Sequence, residues 1–226
     1  MDVKKKAIFS ENFFLRDTTT VAQDLLGKKL VRILTKNNEK IKLSGIIVET
    51  EAYGFKNDQA SHAFKGKTKG NQIMFGPVGR SYIYFIYGNH YCFNITARSQ
   101  DEIAGAVLIR ALEPYDGIEY LKKNRNQQDV NLLSNGPGKI TQALCIGKQH
   151  NNSNVIDINT ELYIEEGIRP ELILATKRIG ITKSIDKYWR YLSAKKNSNI
   201  IIMNKYVTKR KENYSFKVLN YYNENV

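Results

Sequence analysis

The chain has 226 residues, 42% of them hydrophobic, which is enough to bury one core and predicts a single domain over residues 1–226. Its formal net charge of +13 favours a phosphate-binding surface, although a merely basic protein or one that docks on anionic lipid would share it. The composition excludes a transmembrane helix and a disulfide framework, and with no recognisable secretory signal we expect a reduced intracellular protein.

The first half of the chain is dominated by strand signals. In order, it predicts a polar N-terminal arm at residues 1–19, a capped helix from Thr18 that Gly27 closes, strands at residues 29–34 and 43–53, and a loop at residues 57–79. Two aromatic and β-branched runs then flank Gly88-Asn89, a dipeptide of the kind that β-hairpins prefer at the turn. Residues 81–97 are therefore predicted to form a hairpin.

The second half mixes helices and strands, and this predicts the α+β class. In order, it predicts a strand at residues 105–112, helices at residues 114–124 and 137–146, strands at residues 162–165 and 171–181, and a short amphipathic helix at residues 185–192. Residues 205–226 alternate basic and aromatic groups and are expected to fray as a tail. The two cysteines, Cys92 and Cys145, are expected to be small buried side chains.

Two glutamates stand out in the strand at residues 43–53. Because alternate residues of a strand face the same way, Glu49, Glu51 and Tyr53 are predicted to share a face, while the other face is apolar. A solvated face with salt bridges to lysines is one interpretation of this pair, and a general base or a metal pair is the other. No ligand spacing relates the three histidines, which are His62, His90 and His150, so no metal is expected.

The predicted hairpin places an aromatic residue at its tip. With Gly88-Asn89 as a two-residue turn, Tyr87 would pair with His90, and Phe85 would pair with Cys92. An exposed aromatic at such a tip fits a wedge that enters the base stack of a duplex. Packing of Tyr87 on a neighbouring loop would explain the position equally well.

Several separated motifs together resemble one protein family. IVETEAY, ASHAF, SYIYFIYGNHYCFNI, VLIRALEP and NGPGKITQAL have the order and spacing of the alkyladenine (3-methyladenine) DNA glycosylases, the mammalian-type enzymes with bacterial relatives. The resemblance runs from about Thr20 to Trp189. It implies a single compact α+β domain built on a curved antiparallel sheet, with peripheral helices and a protruding β-hairpin.

The resemblance also implies a reaction. Such an enzyme flips alkylated or deaminated purines (3-methyladenine, 7-methylguanine, hypoxanthine, ethenoadenine) out of DNA and hydrolyses the N-glycosidic bond, leaving an abasic site for base excision repair. Glu51 matches the general base that activates water, and Arg110 matches an arginine near that water. Tyr53 and His62 match one aromatic wall around the base, and Tyr84 matches the other.

Three further positions match family residues that select the base or contact DNA. Asn94 matches the asparagine that crowds the 2-amino group of normal guanine, Tyr87 the intercalating tyrosine, and Lys139 a stretch near DNA where we expect a phosphate contact. The resemblance implies double-stranded DNA as partner, no cofactor, no lyase step, no membrane and a monomer. A bacterial enzyme of this kind would work in the cytoplasm at the nucleoid.

Three other classes remain open on the residues alone. A non-catalytic DNA-binding module would use Tyr87 to kink the duplex, and a metal-dependent nuclease would use Glu49 and Glu51. An RNA-binding domain would stack bases on sheet aromatics, but the spaced motif pair of such domains is missing from the sequence.

Overall fold

The computed structural model describes residues 9–86, 88, 90–197, 200–208 and 215–219, and these residues form one ten-stranded antiparallel sheet with short helices around it. The helices are α1 (Glu11–Phe14), α2 (Thr18–Asp24), α3 (Ile118–Arg125) and α4 (Pro137–Ala143). The strands are β1 (Lys29–Lys36), β2 (Glu39–Tyr53), β3 (Ser81–Ile86), β4 (His90–Thr96), β5 (Ala106–Pro114), β6 (Leu162–Glu165), β7 (Leu172–Thr176), β8 (Arg190–Asn197), β9 (Ile200–Met203) and β10 (Phe216–Leu219). Short 3₁₀ turns lie at Gln72–Phe75, Val130–Leu132 and Lys148–His150. The predicted α+β class is confirmed.

Strand β2 organises the sheet. The main path runs β10-β7-β8-β2-β5-β4-β3, while β1 pairs with β2 and β6, and β9 pairs with β8. Because β2 has partners along both edges and α2 packs on it, its residues from Leu43 to Ala52 are all buried. The Thr50 hydroxyl donates to the Ala22 carbonyl of α2 at 2.7 Å and so fixes the helix on the strand.

A β-bulge in β2 changes the predicted face pattern. The register with β5 shifts between Ile47 and Glu49 and shifts back between Glu49 and Thr50, so Val48 is the extra residue in β2 and Arg110 the extra residue in β5. As a result Ile47 joins the same core cluster as Ala52, whereas Val48 joins a second cluster. The predicted apolar face is therefore divided between two clusters, and the burial of Glu49 and Glu51 excludes the interpretation of a solvated face.

The hairpin of β3 and β4 is confirmed, but its predicted register is wrong by one residue. Ile86 pairs with His90 and Tyr84 pairs with Cys92, so the connecting loop has three residues instead of two. Gly88 has a φ of +74° in that loop, a conformation that glycine adopts without strain. Because a shift of one residue exchanges the two faces of a strand, Tyr84, and not Phe85, shares a face with Cys92. Tyr87 lies outside the described residues.

The prediction of an amphipathic helix at residues 185–192 is wrong. From Arg190 the chain forms β8, which pairs with β2 and β7, and Tyr191 and Leu192 are buried in the two core clusters. Sheet pairing and burial have overridden the local helical pattern here. The strand predicted at residues 171–181 is also shorter, because β7 ends at Thr176.

The chain termini contribute more structure than the sequence indicates. Within the predicted arm, Phe9 and Phe14 are buried in the core. In the predicted tail, β10 pairs with β7. Cys92 is buried as expected, whereas Cys145 is exposed. None of the helices in the described ranges combines the length and apolar character needed to cross a membrane.

The left-handed backbone at Gly27 gives a test of the packing between α2 and the loop that precedes β7. Gly27 has a φ of +84°, and a Cβ there would lie 2.1 Å from the Ile168 carbonyl oxygen. Gly66 has a similar φ of +94° but open space around it. We expect Gly27→Ala to lower the free energy of unfolding by about 2–5 kcal/mol, and Gly66→Ala by only about 1–2 kcal/mol. Urea denaturation measures both, and equal losses would contradict this packing.

Candidate active site

An open cavity of about 550 Å³ lies where β2 ends, bordered by β3, β4, β5 and the loop after β7. This volume is in the range of pockets that hold small molecules. Five of the predicted site residues line its wall, namely Tyr53, His62, Tyr84, Asn94 and Arg110. The structure therefore brings together residues that are far apart in the sequence.

Glu51 lies directly behind the cavity wall and is fully buried. Its Oε2 accepts hydrogen bonds from the Tyr53 hydroxyl at 2.8 Å and from Arg110 Nη1 at 3.3 Å. Its Oε1 accepts from the backbone N–H of Ile179 at 2.7 Å. All three donor residues line the cavity, so β2, β5 and the segment after β7 together fix the carboxylate next to it.

Arg110 connects Glu49 and Glu51, the two buried glutamates of β2. Its Nε donates to Glu49 Oε1 at 3.0 Å, while its Nη1 reaches Glu51. Arg190 Nε also donates to Glu49 Oε1 at 2.7 Å. Burial disfavours the charged form of Glu49, but Arg110 and Arg190 outweigh burial and hold the pKa of Glu49 below its usual value. Burial likewise opposes the charge on Arg110, yet Glu51 and Glu49 raise the pKa of Arg110 above its usual value.

The aromatic wall consists of rings in mutual contact. His62 Nδ1 lies 2.9 Å from the Tyr82 hydroxyl, and the His62 and Tyr84 rings meet edge to face with their centroids 4.5 Å apart. A base stacked between two rings needs them about 7 Å apart, twice the usual contact distance. The family resemblance implies that His62 and Tyr84 lie on opposite walls around a base. In the structure the two rings are in contact, so no open slot separates them.

The groups that line the cavity are mostly uncharged near neutral pH. Burial raises the pKa of Tyr82 to about 12 and raises the pKa of Tyr84 further. Desolvation lowers the pKa of His62, so its imidazole is neutral. Asn94, on the floor formed by β4, donates from Nδ2 to the Tyr82 carbonyl at 2.9 Å. Such a cavity suits a flat, apolar or cationic ring.

A buried ion pair that the sequence analysis missed supports the same wall. Both oxygens of Asp58 accept from Arg178, at 2.6 and 2.7 Å, and the two side chains have no exposed surface. Arg178 also donates to the Ala52 carbonyl at 2.8 Å, and its guanidinium lies 4.6 Å from the centre of the Tyr53 ring. The pair joins the loop after β2 to the segment after β7. No spacing in the sequence indicates it, because the partners are 120 residues apart.

The predicted phosphate contact, Lys139, is not part of the cavity lining. Lys139, on α4, donates to Asn135 Oδ1 at 2.6 Å, and burial together with the charge of Arg125 lowers the pKa of Lys139. Pro137 of the same helix reaches the cavity. The proposed wedge, Tyr87, is not described, but Phe85 and His90 on either side of the loop are exposed.

Metal ligation has no candidate cluster in the part of the chain that the structure describes. No three His, Cys, Asp or Glu side chains are grouped there as a metal site would require. Glu49 and Glu51 instead have arginine, tyrosine and backbone partners.

Comparison with known proteins gives one consistent result. Residues 12–197 match the model of the methylpurine-DNA glycosylase family. A protein of Prosthecochloris aestuarii is 48% identical over 185 residues, covering 80% of this chain and 86% of the relative. A protein of Chlorobaculum tepidum is 44% identical (79% of this chain, 84% of the relative), and one of Carboxydothermus hydrogenoformans is 43% identical (90% and 100%). All three carry the provisional name 3-methyladenine DNA glycosylase.

The Asp58–Arg178 pair predicts a large and specific loss of stability when it is broken. Asp58→Asn leaves a buried guanidinium without its counter-charge, and we expect the free energy of unfolding to fall by about 3–5 kcal/mol. Removing both charges in Asp58→Asn/Arg178→Met should cost less than the sum of the single changes. Urea denaturation at neutral pH measures all three.

A surface pair serves as the control for this series. Glu119 is 81% exposed and pairs with Lys122, so Glu119→Gln should change the free energy of unfolding by no more than about 0.5 kcal/mol. Additive losses in the double variant would contradict the buried coupling.

Proposed function

The chain belongs to the methylpurine-DNA glycosylase family and is a DNA glycosylase of DNA repair, and from this premise we propose that it hydrolyses alkylated and deaminated purines from duplex DNA with Glu51 as the base that activates water. The observation that carries the proposal is the position of Glu51 behind an aromatic cavity, with its carboxylate held by Tyr53, Arg110 and Ile179. The proposed substrates are 3-methyladenine, 7-methylguanine, hypoxanthine and ethenoadenine.

The nucleotide has to leave the duplex before it can react. A glycosidic bond within the base stack is out of reach of a recessed carboxylate, so the damaged nucleotide would rotate into the cavity, and Tyr87 would fill the gap in the stack. Tyr53, His62 and Tyr84 would stack on the flipped base, which favours electron-poor or cationic purines. Because His62 and Tyr84 are now in contact, one of them would rotate to admit the base. Asn94 would exclude the 2-amino group of normal guanine.

Hydrolysis then follows the logic of glycoside cleavage. As the bond from C1′ to the purine nitrogen breaks, its electron pair goes to the base, and positive charge develops on the sugar. The Glu51 carboxylate stabilises that charge and takes a proton from the water that adds to C1′. A cationic alkylated purine leaves as a neutral molecule, whereas hypoxanthine has to gain a proton. No amine is used, so we propose no Schiff base and no lyase step, and no cofactor takes part.

The basic surface would hold the DNA backbone without reading its sequence. We propose that the protein acts as a monomer on chromosomal DNA inside the cell, with Lys139 on a phosphate near the hairpin.

The central prediction concerns Glu51. A duplex with one ethenoadenine, hypoxanthine or 7-methylguanine is incubated with the protein in EDTA, and free base and alkali-labile sites are measured. We expect base release by the wild type and a loss of at least about 10²-fold in Glu51→Gln, because the amide cannot accept the proton. Binding to the same duplex should be unchanged.

The controls distinguish the proposed glycosylase from a nuclease and from a non-catalytic DNA-binding module. Glu166→Gln removes an exposed acid paired with Lys28 and should keep full activity. Equal activity in the Glu51→Gln variant would refute the proposed base. Strand cleavage that needs a divalent cation would instead identify a nuclease, and DNA bending without base release would identify a binding module.

Lys139 gives a second prediction. If its ammonium neutralises one phosphate, Lys139→Gln should reduce the slope of log K against log salt concentration by about 1, uniformly across DNA sequences. The matched control is Lys42→Gln, because the Lys42 ammonium is already paired with Glu165 at 2.8 Å and Asp116 at 3.3 Å. Fluorescence anisotropy over a salt series measures both slopes, and equal slopes would remove Lys139 from the interface.

A further inference from the structure

The arginines near Glu51 have other carboxylates as partners. Arg110 contacts Glu51 through Nη1 at 3.3 Å, but its Nε makes a shorter bond, 3.0 Å, to Glu49. Arg178, which also acts electrostatically on Glu51, has both its terminal nitrogens bound to Asp58. Neither arginine is therefore a dedicated partner of Glu51.

Glu49 is held in place by three donors. Its Oε1 accepts from Arg110 and from Arg190, and its Oε2 accepts from the backbone N–H of Thr208 at 2.6 Å. Arg190 Nη2 donates to the Thr208 carbonyl at 3.2 Å. Glu49 is completely buried and Arg190 is 1% exposed, so water screens this cluster little. Thr208 lies beyond the segment that matches the family model, which ends at residue 197.

Among the residues that the structure describes, the other groups around Glu51 carry no charge near neutral pH. They are Tyr53 on its own strand, Tyr84 on β3, Cys92 on β4 and the Ile179 N–H. Burial raises the pKa of Tyr53, Tyr84 and Cys92, which keeps all three protonated. The electrostatic balance at Glu51 is then set by the arginines and their acids. The three arginines, Arg110, Arg178 and Arg190, carry three positive charges. Glu49 and Asp58 offset two of these charges, which leaves one net positive charge beside Glu51.

We propose that Glu49 is a positioning residue that shares Arg110 with Glu51, and that its negative charge offsets the surrounding arginines and so preserves the basicity of the Glu51 carboxylate. This inference rests on the proposed function, in which Glu51 accepts a proton from water. With two net positive charges beside it, Glu51 would be a weaker base. With Glu49 ionised, the single positive charge of Arg110 is shared by two carboxylates, so Arg110 orients Glu51 but offsets only part of its charge. The acid next to the proposed base thus has a distinct task, even though the two share a strand.

Two substitutions with opposite predicted signs test the inference. Glu49→Gln keeps the shape but removes a negative charge, so the acid limb of the pH–rate profile should move to lower pH by about one unit, and the plateau should fall about tenfold. Arg190→Gln removes a positive charge and should move the acid limb to higher pH. Arg190→Lys keeps the charge and should leave the limb in place. The rates are single-turnover rates on DNA with 7-methylguanine, whose cationic base needs no proton to leave.

A spectroscopic titration makes the result independent of catalysis. The carbon-13 carboxyl resonance of Glu51, assigned by its disappearance in Glu51→Gln, is titrated in the free wild type and in both charge variants. Midpoints that move down in Glu49→Gln and up in Arg190→Gln support the inference even if the wild type releases no base, in which case only the proposed function fails. Midpoints that stay fixed, or move the same way in both, overturn it. Because each variant has its own sign, a single variant that folds is sufficient.

Discussion

The structure depends on a balanced cluster of buried charges at the end of β2. Three carboxylates, Glu49, Glu51 and Asp58, and three arginines, Arg110, Arg178 and Arg190, are almost without exposed surface. Isolated, any one of them would be strongly unfavourable in the interior, and together they are tolerable because each charge has an opposite partner and further hydrogen bonds. The cluster joins β2, β5 and β8 to the loops after β2 and β7, so the position of the cavity wall follows from charge pairing as well as from apolar packing.

The aromatic cavity is an extension of the same cluster. Tyr53 contacts both Glu51, through its hydroxyl, and Arg178, through its ring, while the hairpin register turns Tyr82 and Tyr84 toward the cavity with Cys92 and Asn94. The wall is therefore apolar on the side that a base would meet and charged immediately behind it. This arrangement limits solvent screening of the carboxylate, which strengthens its effect on any charge that develops nearby.

Local patterns in the sequence predicted the α+β class, the hairpin and the strands that carry Glu51 and Arg110. They failed where long-range pairing decides the outcome. The segment at residues 185–192 has a helical pattern, but its second half enters the sheet between β2 and β7. No composition rule reveals the paired irregularity between β2 and β5 or the extra residue in the loop after β3. Arg178, the partner of Asp58, and Arg190, a partner of Glu49, each lie more than 100 residues away, so only the folded chain identifies them.

The separation of these partners in the sequence also has a consequence during synthesis. Glu51 bonds to Ile179, 128 residues later, and Glu49 bonds to Thr208, 159 residues later. When β2 leaves the ribosome, Glu49 and Glu51 are already present in the nascent chain. Their partners Ile179, Arg190 and Thr208 have not yet been synthesised. Pairings of this range are slow to form, because a long loop has to close before any contact compensates for it. The charge cluster thus cannot be completed before residues 179–208 have left the ribosome.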